Sequence, residues 1–521
     1  MHTTNITNHL NPVVKSKRSQ SALEYMMTYG WAILIIVIVA VILYSMGIFN
    51  PSSSITFTSS GFSPFTVSSS LCNNIGYKIA VLAGPIPNNA NSLTINKVYL
   101  TSATGANTTT ASYTLTNPVT LKSGQSTTII IPNVACNSAN IHYSLSAKIQ
   151  YSYDVPTIGM QTINTTGTVA GTSITGKPST LTSYEPITIT NSQSSATPSP
   201  FQQMINFTSS DPGFSSIATG NFGQNVEFFY YNGTIIPSWL ENYTSTNGLW
   251  WLKIAAIPSG SSETVYVGFA PTSASLFNTV NDGEAPQIPC GSTPTSSCSN
   301  YAEYDDGASV FNYYTNFAGT TLPNGWVFGA VSGSSVIVNN GLTISGDGSD
   351  SGSTYVATTS AVFNNNNILE GYINQRSGST GSERGMIGIS TVNNAEPVWD
   401  NGGTTGDTIA GWSAGKNNVG DIIQSETVLN GAFIYLNSIG RNSNWNVYGV
   451  SLSSNAGITT YVNYGDLSST TSENPSAPLY INLGVYNSGG GSPFNLQYTW
   501  IRIRAYPPNG VMPSVSFGSV A

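Results

Sequence analysis

The stretch QYTWIRIRAYPP at residues 497–508 alternates side chains with a period of two. That alternation marks a β-strand, whose successive side chains point to opposite faces. Ile501, Ile503 and Ala505 are expected to face a core. Trp500, Arg502, Arg504 and Tyr506 are expected on the other face. Working back along the chain, TTIIIPNV (127–134) and ETVYVGF (263–269) are similar short runs of β-branched and aromatic residues, bounded by Gly, Pro, Asn and Ser. Turn signals recur about every 8–12 residues, the spacing of β-sandwiches. No long 3.6-residue period follows residue 50. The expected fold class is mainly β: one N-terminal transmembrane α-helix, then three β-sandwich domains of jelly-roll or immunoglobulin-like architecture.

Composition agrees with an exterior, all-β chain. Only 7% of the 521 residues are charged, against about 25% in an average soluble protein. The net charge is −8, from 15 basic and 23 acidic residues. No basic patch is present, which excludes nucleic acid as an expected partner. The three histidines are His2, His9 and His142, too few for a His-rich zinc site. An even count of four cysteines in a chain that reads as exported points to two disulfides. Three connectivities are open, and Cys72–Cys136 with Cys290–Cys298 is the expected one.

Residues 15–49, KSKRSQSALEYMMTYGWAILIIVIVAVILYSMGIF, place a basic cluster ahead of 25 uncharged residues, Tyr25 to Phe49. That run is long enough to span a bilayer as a helix. Lys15, Lys17 and Arg18 would hold the N-terminus in the cytoplasm, with everything beyond about residue 50 outside. A removable secretory signal puts its cleavage site after the apolar run. Here the small residue Ser19 and Gln20 precede it. The segment Gln20-Ser21-Ala22-Leu23-Glu24 resembles the class III signal peptide of archaeal type IV pilin-like proteins. The resemblance implies cleavage between Ser19 and Gln20 by a prepilin peptidase. It also implies that Glu24 meets the free amine of a neighbouring Gln20 in a filament of pilin-like subunits. A plain uncleaved signal anchor is the other reading, and the membrane is a partner in both.

The remaining organisation is read as a leader at 1–19, the apolar helix at 20–50, a sandwich at 51–178, a second at 179–280, a connector at 281–303 and a third unit at 304–521. In the second unit, NVEFFYYNGTIIPSWLE (225–241) reads as strand, Asn-Gly turn, strand, and WWLKIAAIPSGSSETVYVGFA (250–270) as two strands joined through Pro258. These phrases resemble domain of unknown function 2341 (DUF2341), which implies a surface β-sandwich and no known catalytic residues. In the third unit, NFAGTTLPNGW (316–326), NNGLTIS (339–345) and QYTWIRIRAYPP resemble concanavalin A-like lectin/glucanase sandwiches.

Sugar binding needs aromatic faces with amides, carboxylates or guanidinium groups beside them. EPVWDNGGTTGDTIAGW (396–412) offers Trp399, Asp400, Asn401, Asp407 and Trp412, and the closing strand offers Trp500, Arg502, Arg504 and Tyr506. Trp239, Trp250 and Trp251 lie inside strands and are expected to pack. Glucanases of the lectin-like sandwich carry an E-x-D-x-x-E strand; LEGYINQ (369–375) retains only Glu370, so no catalytic residue and no enzyme is expected. Glu303, Asp305 and Asp306 read as a solvated turn. No cofactor is expected beyond a possible structural Ca2+ at SGDGSDSG (345–352), with Asp347 and Asp350 as oxygen ligands. Exported Asn-x-Ser/Thr sequons at Asn107, Asn164, Asn206, Asn232 and Asn242 are glycosylation candidates. The expected function is a pilin-like surface adhesin or minor filament subunit that binds surface glycans or another ligand through its last domain. A non-binding envelope protein and a polysaccharide hydrolase are the alternatives.

Overall fold

A computed structural model describes residues 57–521, apart from 88–89, 107–111, 132–133, 137, 292–297, 348, 350, 378–385, 394–407, 415–421, 430–431, 441–443, 455, 471–475 and 489–492, and also describes 29–30, 33–35 and 37. Those six N-terminal residues are helical and exposed. Among the described residues no helix is long and apolar enough to cross a membrane. Ser19, Gln20 and Glu24 lie outside the described residues. The chain divides into two compact units, 1–176 and 177–521.

In the first unit a five-stranded sheet runs in the order Thr58–Gly61, Gly159–Thr172, His142–Val155, Leu93–Thr104, Ser112–Leu121. A three-stranded sheet joins Phe65–Cys72, Tyr77–Ala83 and Ser126–Ile131. All pairings are antiparallel. Alternate residues Tyr143, Leu145, Ala147 and Ile149 enter the core with Ile79, Val81, Ile95 and Val98. Cys72 and Cys136 form the expected disulfide, closing a sequence separation of 64 residues. In the chain-entropy picture a loop of that size is worth about 4 kcal/mol.

The second unit contains two sandwiches. The first has one sheet of Phe201–Thr208, Asn247–Ile254, Ser238–Tyr243 and Asp282–Glu284, and a second of Val226–Tyr230, Ser261–Phe269, Ser183–Asn191 and Ser514–Phe517. The last strand of the chain therefore returns to the earlier sandwich, with Val515 opposite Ile189. The Asn-Gly turn forms as expected: Gly233, at φ +79°, donates its N–H to the Tyr230 carbonyl. Its flanking strands, however, lie in opposite sheets. Pro237 and Pro258, which have no N–H for a ladder, sit where the chain leaves one sheet for the other.

The C-terminal sandwich packs an eight-stranded sheet on a seven-stranded one. The closing strand, Phe494–Ala505, lies between Leu342–Gly346 and Asn367–Ser377 in the larger sheet. Its alternation is as the sequence indicates: Ile501 and Ile503 enter the inter-sheet core with Leu369, Ile387, Val450 and Leu483. Ala505 packs instead in the core of the neighbouring sandwich. Cys290 and Cys298 are bonded, as expected.

Candidate functional site

The other face of the closing strand is not open to solvent. Trp239 and Trp251 of the neighbouring sandwich, with Val310 and Phe311 at the short helix Gly307–Val310, cover it. Trp500 and Arg502 are 0% exposed and Arg504 is 4% exposed. These three candidates for a sugar-binding face are thus corrected to interior residues. The period of two places them on one face, but it does not say what lies against that face.

Charge burial this deep requires complete pairing. Arg502 donates Nε–H to Glu370 Oε2 and Nη1–H to Glu241 Oε2, each at 2.8 Å, and Nη2–H to the Tyr464 hydroxyl at 2.9 Å. Arg504 donates to Glu370 Oε1 through Nε at 2.9 Å and Nη2 at 2.7 Å. The Trp251 indole N–H and the Tyr464 hydroxyl both donate to Glu241. The Arg502 guanidinium carbon lies 4.4 Å from the Trp500 ring centroid, 4.5 Å from Trp251 and 4.6 Å from Phe311. Two guanidinium groups thus neutralise two carboxylates inside an aromatic box. Burial alone would raise Glu370, but Arg504 and Arg502 outweigh it and hold its carboxyl below the ordinary range. Glu370 is therefore committed to two cations and cannot act as a nucleophile or proton donor toward a substrate. Glu241 and Tyr464 were not singled out from the sequence. In a chain this poor in charge, a carboxylate inside the aromatic strand Ser238–Tyr243 was the available signal.

The presumed solvated turn is corrected as well. Glu303 is exposed, but Asp306 is 2% exposed, and among the described residues no other residue hydrogen-bonds its carboxyl oxygens. Asp305 accepts from the Trp239 indole at 2.8 Å, the Gly307 N–H at 3.0 Å, the Tyr314 hydroxyl at 2.8 Å and the Asn316 amide at 2.7 Å. Burial, reinforced by the Asp305 and Asp282 carboxyls, pushes Asp306 up to about 9. Burial, with Glu227 beside it, pushes Asp282 up to about 8. Burial, then Glu303 and Asp305, does the same for Glu284, also to about 8.

One candidate remains accessible. Tyr506, just past the strand end, is half-buried and lines a cleft of about 380 Å³ with Asn366, Ser454, Pro507, Pro508 and Asn509. Every described side chain lining this cleft is uncharged. Asn366 and Asn509 both adopt left-handed backbone conformations, φ 60° and 54°, which asparagine tolerates. The Asn366 side-chain oxygen accepts from the Ser454 N–H and hydroxyl, each at 3.2 Å, and its carbonyl accepts from the Tyr506 N–H at 2.8 Å. Gly510 leaves room for the ring: a Cβ there would come within 2.8 Å of the Tyr506 hydroxyl. An aromatic ring and two prolines beside two amides can take the apolar face of a small ligand while bonding its hydroxyls.

Trp412 is not in a loop. It lies in the strand Thr408–Ala414, is fully buried, and donates its indole N–H to the Gly449 carbonyl at 2.8 Å. It too is corrected to a packing residue. Trp399, Asp400, Asn401 and Asp407 lie outside the described residues. Trp239, Trp250 and Trp251 are buried, as their positions within strands lead one to expect. Asp347 is exposed and accepts from the Ser349 N–H and hydroxyl; Asp350 lies outside the described residues. Among the described residues no group of three or more His, Cys, Asp or Glu side chains is arranged to hold a metal ion. Asn164, Asn206, Asn232 and Asn242 are exposed, and Asn107 lies outside the described residues.

No family model matches the chain. A protein of Sulfolobus islandicus rod-shaped virus 1, named "Uncharacterized protein 562", is 29% identical over 363 residues, covering 64% of this chain. The chain spans 58% of that relative's length. Among solved structures, the carbohydrate recognition domain of Emp47p is similar at a TM-score of 0.29 and 11% identity, covering 37% of this chain and 95% of that domain. The legume lectin-like domain from Entamoeba histolytica gives 0.27 and 15%, covering 35% and 90%. A mixed-linkage glucan GH16 protein of Bacteroides ovatus gives 0.27 and 8%, covering 37% and 99%. At such scores these likenesses assign neither fold nor activity to this chain.

Proposed function

We propose that the protein is a membrane-anchored, pilin-like surface adhesin that binds a neutral carbohydrate through the cleft at the end of its C-terminal, lectin-like sandwich. The observation that carries this reading is the uncharged cleft around Tyr506, where ring, prolines and amides converge. The absence of charge in its lining favours a ligand that offers hydroxyls and C–H faces over an ionic one. The anchor half of the reading rests on the 25 uncharged residues before residue 50 and on the order Ser19, Gln20, Glu24. Residues 1–19 would stay cytoplasmic until a prepilin peptidase removed them, and the sandwiches would lie outside the cell.

A glycan array probed with the purified full chain tests the binding half. Neutral sugars are expected to be retained, and Tyr506→Ala is expected to weaken retention about tenfold, the scale of one lost ring contact. Binding to no sugar, or undiminished binding by Tyr506→Ala, would sink the assignment of this cleft. The N-terminal sequence of the mature protein tests the other half in the same preparation. A start at Gln20 supports pilin-type processing, and a start at Met1 removes it.

A further inference from the structure

Charge is distributed unevenly along the chain. Residues 57–176 contain four lysines and a single carboxylate, Asp154, a net charge of +3. Residues 177–521 contain 8 basic and 21 acidic residues, a net charge of −13. Two of the four lysines converge. On the strand Leu93–Thr104, Lys97 and Tyr99 are two residues apart, and Tyr99 lies directly opposite Lys148 of His142–Val155. The Lys148 ammonium is 4.3 Å from the Tyr99 ring centroid and that of Lys97 is 4.9 Å. Attraction to the ring's electron-rich face holds both there.

The two ammonium groups therefore lie within about 9 Å of each other, where they repel at moderate ionic strength. Neither forms an ion pair among the described residues. Asp154 is six positions further along the Lys148 strand, about 20 Å away in an extended chain. The described cross-strand neighbours of the pair are uncharged, although the Lys97 strand is bulged between Ile95 and Lys97 and between Leu100 and Ser102. Gln150 lies opposite Lys97, and the next strand sets Thr166 opposite Lys148 and Asn164 opposite Gln150. The alternate residues, Val98, Ala147 and Ile149, are in the core, so this polar set points away from it.

We propose that this outer sheet face binds a polyanionic polysaccharide, with Lys97 and Lys148, both against the Tyr99 ring, receiving its carboxylate or sulfate groups. An extended polymer can run across adjoining strands: its anions meet the ammonium pair, and its hydroxyls meet Gln150, Asn164 and Thr166. The site is distinct from the neutral cleft at Tyr506 and does not rest on the reading given to it.

The test is retention of the purified full chain on immobilised polygalacturonate, heparin and uncharged dextran at low salt. Retention on one or both acidic matrices and not on dextran is expected, and the two matrices distinguish carboxylate from sulfate. Lys97→Gln/Lys148→Gln is expected to weaken it at least about tenfold, and the charge-matched Lys78→Gln/Lys122→Gln less than about twofold, with both variants melting as the parent does. Equal losses in the two variants would reduce the effect to net charge and overturn the site. No retention of the parent on either acidic matrix overturns it too. So would self-association at low salt that only Lys97→Gln/Lys148→Gln abolishes, because the face would then dock on the acidic part of a second copy.

Discussion

In residues 57–176 the Cys72–Cys136 bridge ties the end of the strand Phe65–Cys72 to the segment after Ser126–Ile131, beside an aliphatic and tyrosine core, and no charged side chain is buried among the described residues. In residues 177–521 two sandwiches meet across a layer that seals Arg502, Arg504, Glu241 and Glu370 from water. The same charge-poor composition therefore supports two different fastenings. A disulfide acts mainly by restricting the unfolded chain. A buried ion network contributes only when every partner is present, and it opposes the fold once one is missing. The second fastening should thus be the more fragile to single substitutions.

Arg502→Met breaks the comparison most severely. It leaves Glu241 without its cation and Glu370 with Arg504 alone, and the expected loss is about 5 kcal/mol, the upper end for a broken buried pair. Denaturant unfolding followed by tryptophan fluorescence measures it, because Trp239, Trp251 and Trp500 surround the guanidinium. Adding Glu241→Gln keeps the Arg504–Glu370 pair and removes the orphaned charge, so at least half of the loss should return. If Arg502→Met unfolds as the parent does, packing of the aromatic layer holds the sandwiches and the charges are incidental.

Cys72→Ala/Cys136→Ala sharpens the other side. Opening a loop of 64 residues is expected to lower the stability of the first unit by about 4 kcal/mol. The loss should stay local. Hydrogen exchange should rise in His142–Val155 and Tyr77–Ala83 and remain unchanged in the closing strand Phe494–Ala505. An equal rise in both places would show that the two units unfold together.

The strand alternation and the β-sandwich class were legible because each rests on local rules, a period of two and turn residues at regular spacing; the even cysteine count indicated two disulfides and left three connectivities open. The face assigned to Ile501 and Ile503 followed from the same rule. Its converse, that Trp500, Arg502 and Arg504 face a ligand, failed because a strand's outer face can be covered by a separate layer. Nothing within ten residues of Arg502 announces Glu241, which lies 261 positions earlier. Asp305 and Asp306 were misread for the same reason, since adjacent acids usually mark a solvated turn and here adjoin the Trp239 layer. Tyr506, just past the end of the strand, is half-buried between the buried Ala505 and Pro507, and only its cleft side is open.

A further prediction concerns pH, and it sets the carboxyls near the connector against Glu370. Asp306 is held protonated to about pH 9, and Asp282 and Glu284 to about 8. Unfolded, all three ionise near pH 4. Between these limits the folded chain binds more protons than the unfolded one, so stability falls as pH rises. Glu370 has the opposite sign: its carboxyl is held low, so its contribution is complete above the ordinary carboxylate range and is lost as pH drops below it. Stability should therefore be greatest on the mildly acidic side of neutrality. Asp306→Asn replaces the carboxyl by a neutral group of similar size that cannot ionise beside Asp305 and Asp282. The difference between the two should be smallest at pH 5, and the variant's decline between pH 5 and 9 should be shallower. Urea midpoints across that range measure both, and a parent-like slope in Asp306→Asn would show that this carboxyl does not titrate there.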